Sequence, residues 1–459
     1  MNTHESPAYQ AALAWLFSRT RAGAVRSSQR AAQLLELMDL SAPPLTVSVV
    51  GTNGKGSVST MTAAGLTASG HVTGRFVSPH VESFRERVAV DGVPVAEEQV
   101  TAFVATAQAL TREAHWEEAL SPAFFEWTLA LALREFARRG ATAAVLEAGV
   151  GGASDATRAV QNVSLVVLTN VDLDHLEALG PTLEQIATDK AGAMRPGIPV
   201  VSGVVQPELR ALVARHAEQL GAPLHQYRHE TPEAEPLFTL PAHLESALAT
   251  SATRLANARL AAAALRLLGT SEAAVEAGLR APALPARGER FLLGGVPTVE
   301  EPTVEVLLDG AHDPAAARRL VAEIGQRHYA LLFGALGRKQ GSAVLEVLST
   351  GASQVVITEA QAGEGQVVTM PAGARFVADP AAALDEALAA ARSLNAEQTA
   401  GSPPLLVVAG SLYLAGRVRP LLRACGVRQP AAWETPAAGT GAEHLENRGA
   451  PSAGGPGGD

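Results

Sequence analysis

A lysine, a serine and three glycines stand close enough together near the start of the chain to hold a polyphosphate. They lie in Gly51-Thr52-Asn53-Gly54-Lys55-Gly56-Ser57, after the apolar, β-branched run Val47-Ser48-Val49-Val50 and before a helix-favouring stretch over 58–68. In a strand, glycine loop and helix in that order, backbone N–H groups and a helix N-terminus converge on an anion. Lys55 would add a point charge and Ser57 a hydroxyl for Mg²⁺ or phosphate. Gly56 separates the lysine from the hydroxyl, where the usual phosphate loop has them adjacent. Alone, the loop could be a glycine-rich turn; with strand, helix, Lys55 and Ser57 in place it reads as an ATP cradle.

Three further runs end at groups suited to a hard cation. Residues 143–146 are apolar and stop at Glu147, before Ala148-Gly149-Val150-Gly151-Gly152. Residues 165–168 lead through Thr169 and Asn170 to Asp172, Asp174 and His175, and residues 74–77 lead to Ser78-Pro79-His80. Parallel sheets gather the C-terminal ends of their strands at one edge, where ligands bind. Each group also has a plainer reading, Ser78 and His80 as turn residues and the His175 cluster as a capped turn. Three strand ends together nonetheless supply what Mg²⁺ accepts. Lys190, on a short helical segment, reads by itself as a solvated lysine.

The elements that must position these groups follow from patterning. At 459 residues the chain exceeds one ordinary core and implies two or three domains. Apolar positions at helical spacing over 8–40 (Ala12, Leu13, Leu16, Phe17, Leu34, Leu35, Leu37, Met38) predict core-facing helices around a solvated basic turn, 19–30. A helix over 123–139 carries Phe124, Phe125 and Trp127, a candidate wall for a flat ring, with Glu126 as one exposed acid. Residues 229–247 read as a surface loop or an irregular hairpin, and 255–268 as a helix with a core face. Pro282 and Pro285 mark the best domain boundary. Strands over 304–308, 329–333, 354–358 and 405–408, separated by helical segments, predict a second, smaller α/β domain. The fold class is therefore α/β, with a large P-loop domain over 1–281 built on a parallel-type sheet. A linker follows over 282–290, then the smaller α/β domain over 291–427 and a disordered Pro/Gly/acid tail over 428–459.

Composition excludes several classes of function. A formal net charge of −10 argues against a general basic surface for nucleic acid. The single cysteine, Cys425, permits no internal disulfide and no thiolate metal cage. No leader-like segment and no apolar run of membrane-spanning length is present in the sequence, so the expected setting is the cytoplasm.

Several stretches together resemble the folylpolyglutamate synthase and dihydrofolate synthase branch of the Mur ligase superfamily, over about residues 30–425. They are the loop at 51–57, Ser78-Pro79-His80, Phe125-Glu126, Glu147 to Gly152, Asp155-Ala156-Thr157, Asp174-His175, Asp189-Lys190-Ala191-Gly192, Asp309-Gly310-Ala311-His312 and Gly410-Ser411-Leu412-Tyr413. The resemblance implies an ATP-dependent ligase that adds L-glutamate to dihydropteroate, to reduced folates or to both, through an acyl phosphate. It implies Asn53, Gly54, Lys55, Gly56 and Ser57 on the nucleotide phosphates, with Arg287, Asp309 and His312 as further nucleotide contacts. Ser57, Ser78, Glu147 and His175 would be ligands to Mg²⁺, with two ions expected and a monovalent cation admitted. Lys55, Lys190 and His175 would serve catalysis, Lys190 as a carbamate, and Phe125 and Asp155 would line the pterin pocket. A monomer is implied, as is a Rossmann-like form for the smaller α/β domain over 291–427. Departures stand at Ala153-Ser154, Arg158, Asp313 and Arg338-Lys339-Gln340, where the family commonly has Arg-Leu, Asn, Asn and Asp-Lys-Asp. A cell-wall precursor as acceptor is the alternative within this chemistry, and a nucleotide-driven regulatory switch the alternative outside it.

Overall fold

The computed structural model describes residues 5–20, 28–113, 121–227, 236–249, 251–294, 303–336, 338–361, 368–394, 402–430 and 434. Its first sheet has the order β4-β3-β2-β5-β1-β6-β7-β8, formed by β1 (Leu45–Val50), β2 (Thr73–Phe76), β3 (Val88–Val90), β4 (Val93–Pro94), β5 (Ala143–Glu147), β6 (Leu165–Leu168), β7 (Val200–Ser202) and β8 (Leu224–Gln226). From β2 through β8 the pairs are parallel; β3 and β4 extend the edge antiparallel.

Near-continuous apolar runs are what a parallel sheet covered on both faces requires. Alternation then sorts the side chains. Val47, Val49, Val145 and Val167 face one core with the helices Lys55–Ala68, Ala252–Leu267 and Glu272–Leu279, while Val50, Leu146, Val166 and Leu168 face another with the helix Phe124–Arg138.

The second sheet runs β13-β12-β11-β14-β10-β9-β15, with β9 (Glu289–Leu293), β10 (Val304–Leu308), β11 (Tyr329–Phe333), β12 (Ala352–Ile357), β13 (Arg375–Phe376), β14 (Leu405–Ala409) and β15 (Gly426–Gln429). It is parallel except that β9 lies antiparallel between β10 and β15. Strand β9 begins inside the stretch expected as linker. Strand β15 runs two residues past Val427, and the Glu434 carboxylate accepts from Arg428 at 2.8 and 2.9 Å and from the Ala283 amide at 3.3 Å. Residues 428–430 and 434 of the stretch expected as tail therefore pack on the second domain and the linker, and residues 431–433 and 435–459 lie outside the described ones.

Other expectations need correcting. Glu126 is buried, because Arg30 donates to it at 2.9 Å and its own carboxylate caps the helix start at Ala123. Arg30 thus leaves the solvated basic turn, of which residues 21–27 are not described. Phe17 and Leu37 are exposed rather than core-facing. Within 229–247, the segment Pro236–Phe238 and the helix Ala242–Leu248 bury Phe238, Leu240, Leu244 and Leu248, whereas 229–235 are not described. Among the described residues no helix is long and apolar enough to cross a membrane.

Candidate active site

Strands β2, β5, β1 and β6 are consecutive in the sheet, so their C-terminal ends deliver Ser78, Glu147, the 51–57 loop and the 170–175 segment side by side. Gly54 has φ +83° and caps the helix Lys55–Ala68; a Cβ there would also sit 2.3 Å from Asn257 Oδ1. The extra glycine has a local reason as well. A Cβ on Gly56 would come within 2.7 Å of Leu284 in the linker and 3.3 Å of Glu147 Oε2.

The loop is pinned to the end of β6: the Asn53 amide donates to Asn170 Oδ1 at 2.8 Å, Thr169 Oγ1 to the Asn53 carbonyl at 2.7 Å, and the Asp172 amide to Thr52 Oγ1 at 3.0 Å. Lys55 Nζ folds over it, donating to the carbonyls of Gly51 at 3.1 Å and Thr52 at 3.0 Å.

Glu147 is buried and accepts from the Ser78 amide at 3.1 Å. Burial pushes its carboxyl pKa up, against the opposing charge of Lys55. Asp174 and His175 lie on the same cleft, 3.4 Å apart. Among the described residues no three His, Cys, Asp or Glu side chains cluster into a metal cage. One buried carboxylate beside the Ser57 and Ser78 hydroxyls and His175 is nonetheless a set suited to Mg²⁺, which keeps waters and takes its remaining oxygens from phosphate.

Lys190 is not solvated. It is 2% exposed, beneath the phosphate loop, and its Nζ donates to the same Gly51 carbonyl at 2.8 Å. Burial first, and then the charge of Lys55, lower its pKa to about 7, against Asp174, Asp189 and Asp155. Between that value and the usual 10.5 the unfolded chain holds the extra proton, so this group makes stability rise with pH. The cost of the buried cation is full below about pH 7 and is relieved as pH climbs toward about 10. Lys190→Met is therefore expected to raise Tm over the parent most at about pH 6 and least at about pH 10, in ligand-free thermal unfolding. A difference independent of pH would contradict this assignment.

The second domain closes the opposite wall. Asp309, at the end of β10, accepts from the Gly288 amide at 2.8 Å and the Ala311 amide at 2.9 Å, and burial raises its pKa against Arg287. His312 Nδ1–H donates to the Gly310 carbonyl at 2.9 Å, which leaves Nε2 as an acceptor when the ring is neutral. Asp313 caps the helix Pro314–Ile324 through the Ala316 amide at 2.8 Å, so this departure keeps the capping function. Arg287, Asp309, Gly310, His312 and Asp313 share one cleft of about 540 Å³ with Asn53, Gly54, Lys55, Gly56, Ser57, Ser78, Phe125, Glu147 and His175.

Asp155 and His80 stand back from that cleft, as do Asp172 and Lys190. Asp155 caps its own loop, with Oδ1 taken by the Thr157 amide and hydroxyl and Oδ2 by the Val150 amide. His80 accepts from Arg87 Nε at 2.8 Å, and burial together with Arg87 lowers its pKa to about 3, so it is neutral. The side chains of Arg338, Lys339 and Gln340 lie outside the description.

Arg87 and Asn257 are among the cleft residues not foreseen from the sequence. Arg87 lines the cleft, its guanidinium 5.1 Å from the Phe124 ring, on which Phe17 stacks at 5.2 Å. Asn257 meets Gly54 from the helix Ala252–Leu267, on the side that also carries Thr253 and Arg254 to the cleft. An amide buried in an alanine-rich helix was the available signal for Asn257, and an arginine opening a strand beside Ser78-Pro79-His80 the signal for Arg87.

Comparison with known proteins agrees with this geometry. Residues 93–195 match the Mur ligase middle domain. The chain is 30% identical over 368 residues to a dihydrofolate synthase/folylpolyglutamate synthase of Bacillus subtilis, covering 75% of this chain and 83% of that protein. Among solved structures it is similar to the bifunctional folylpolyglutamate synthase/dihydrofolate synthase of Yersinia pestis complexed with AMPPNP and Mn ion, with TM-score 0.69, 26% identity and coverage of 91% and 100%. It is likewise similar to E. coli FolC in complex with DHPP and ADP, with TM-score 0.68, 25% identity and coverage of 91% and 98%. A phosphate loop beside a buried carboxylate, closed by a second α/β domain, together with these relatives, establishes that the chain belongs to the dihydrofolate synthase/folylpolyglutamate synthase family of Mur-type ligases.

Proposed function

We propose that the chain joins the amine of L-glutamate to a carboxylate of dihydropteroate, of a reduced folate or of both, at the expense of ATP. The observation that carries this reading is a single cleft lined together by the Lys55 loop, by Asp309 and His312 of the second domain, and by Phe124 and Phe125. The nucleotide in the Yersinia pestis structure and the DHPP and ADP in the E. coli one support it.

A carboxylate does not condense with an amine at neutral pH. The γ-phosphoryl therefore passes to the acceptor carboxylate, giving an acyl phosphate and ADP. The glutamate amine adds to the acyl carbon, loses its proton, and phosphate leaves. Lys55 and the loop amides hold the β- and γ-phosphates where charge develops. Ser57, Ser78, Glu147 and His175 would hold Mg²⁺, two ions in our reading, and the metal supplies further neutralisation of phosphate charge. Arg287, Asp309 and His312 orient the nucleotide from the second domain. Phe125 forms the acceptor wall, and Asp155 shapes the loop behind it. The hinge is the stretch from Pro282 up to the start of β9, between the two domains, and closure about it keeps water from the acyl phosphate.

With a pKa of about 7, much of Lys190 is a neutral amine near neutral pH, able to add CO₂ and release a proton to become a carbamate. A monovalent cation, a monomeric state and a cytoplasmic setting complete the reading.

Phosphate release from ATP with Mg²⁺ and L-glutamate, in the presence of dihydropteroate, tetrahydrofolate or no acceptor, tests it, with the amide product identified by mass. Stimulation by one or both acceptors is expected. No stimulation by either would remove folates as substrates and direct attention to cell-wall or other acids.

A further inference from the structure

The loop between β2 and β3 joins the two domains. The amides of Val81, Glu82 and Ser83 all donate to the Glu86 carboxylate at 2.8–2.9 Å, so the loop is internally braced. One end carries Ser78, whose amide holds Glu147, and the other carries Arg87 at the cleft wall.

The tip of the loop leaves its own domain. Val81 packs against the second domain's core, and its carbonyl approaches the helix Leu412–Cys425 so closely that a Cβ on Gly416 would lie 2.1 Å from it. Beside it the Glu82 carboxylate accepts from Arg419, with Arg423 at 3.6 Å. Arg419 is itself fixed by a two-pronged bond to Glu289 of β9, at 2.7 and 2.8 Å, and Glu289 also takes Arg428 at 3.1 Å. Glu289 is nearly unexposed, and Arg419 and Glu82 are largely covered, so water weakens this bridge less than it would a surface pair.

We propose that Arg419 is a positioning residue for the ligase reaction: through Glu82 it seats the 78–87 loop on the second domain and so holds Ser78 and Arg87 in register with the phosphate loop. The bridge ties the second domain to the loop that holds Glu147. A shift of about an ångström at such a loop costs turnover on the order of a hundredfold without removing any reacting group.

The effect on turnover rests on the proposed function, whereas the effect on loop order does not. Glu82→Gln is the first variant, because Arg419→Met also strips Glu289 of a partner. Glu82→Gln is expected to lower amide protection at residues 81–83 about tenfold, and kcat about tenfold, with KM for ATP within about twofold. Arg419→Lys should retain most of kcat, and the Glu82→Gln/Arg419→Met pair should lose no more than Arg419→Met alone. Parental kcat and protection in Glu82→Gln would overturn the proposal, as would a fall in Tm with kcat unchanged. A parent protein inactive on every acceptor would refute the folate reading instead and leave hydrogen exchange to decide this one.

Discussion

Lys55→Ala is expected to lower the rate of ATP-dependent phosphate release by about a thousandfold at saturating substrates, with Tm in ligand-free buffer nearly unchanged. The two halves of this expectation have separate causes. The rate falls because, in the mechanism proposed above, Lys55 is the loop cation that meets the negative charge building on the transferring phosphoryl group. Stability holds because the loop keeps its ties to β6 through Asn53–Asn170, Thr169–Asn53 and Asp172–Thr52. Removing a cation beside Lys190 also relieves a repulsion already present in the folded protein. A soluble Lys55→Ala protein with full activity would remove the basis of the mechanism.

Glu147→Gln should have an effect of similar size. Glutamine keeps the shape and can still accept from the Ser78 amide, so the strand end stays in place. The negative charge is lost, and with it the one buried carboxylate among the proposed metal-holding groups. A fall of about a hundred- to a thousandfold in kcat is expected, together with a rise in the Mg²⁺ concentration needed for half-maximal rate. Because burial already works against the charged carboxylate, Tm should hold or rise. An Mg²⁺ titration that superimposes on the parent's would show that Glu147 does not serve the metal.

Much of this arrangement was legible in the sequence where the signal is local. Residues 304–308 and 329–333 form strands with the expected bounds because apolar, largely β-branched or aromatic runs between turn residues have few alternatives. Ser78, Glu147 and His175 came together because strand ends in a parallel sheet share an edge. What failed depends on partners distant in sequence. Glu126 reads as exposed until Arg30, 96 residues away, covers its charge. Lys190 looks solvated because nothing near it in sequence says that Gly51 will lie over its amine, 139 residues back. His80 and Asp155 have the right types for a site, but nearby hydrogen bonds occupy the atoms a ligand would need. The helix Ala242–Leu248 is short, and its apolar face is set by what it packs on rather than by its own periodicity.

Glu434 bears on how domain movement can be watched. Its carboxylate is shared between Arg428, on the last strand of the second domain, and the backbone of Ala283, at the start of the hinge. Glu434 is therefore tied to the second domain while touching the start of the proposed hinge. A dye attached at this position, paired with one on the first domain, would convert opening and closing into a change in energy transfer without an optical label inside the cleft.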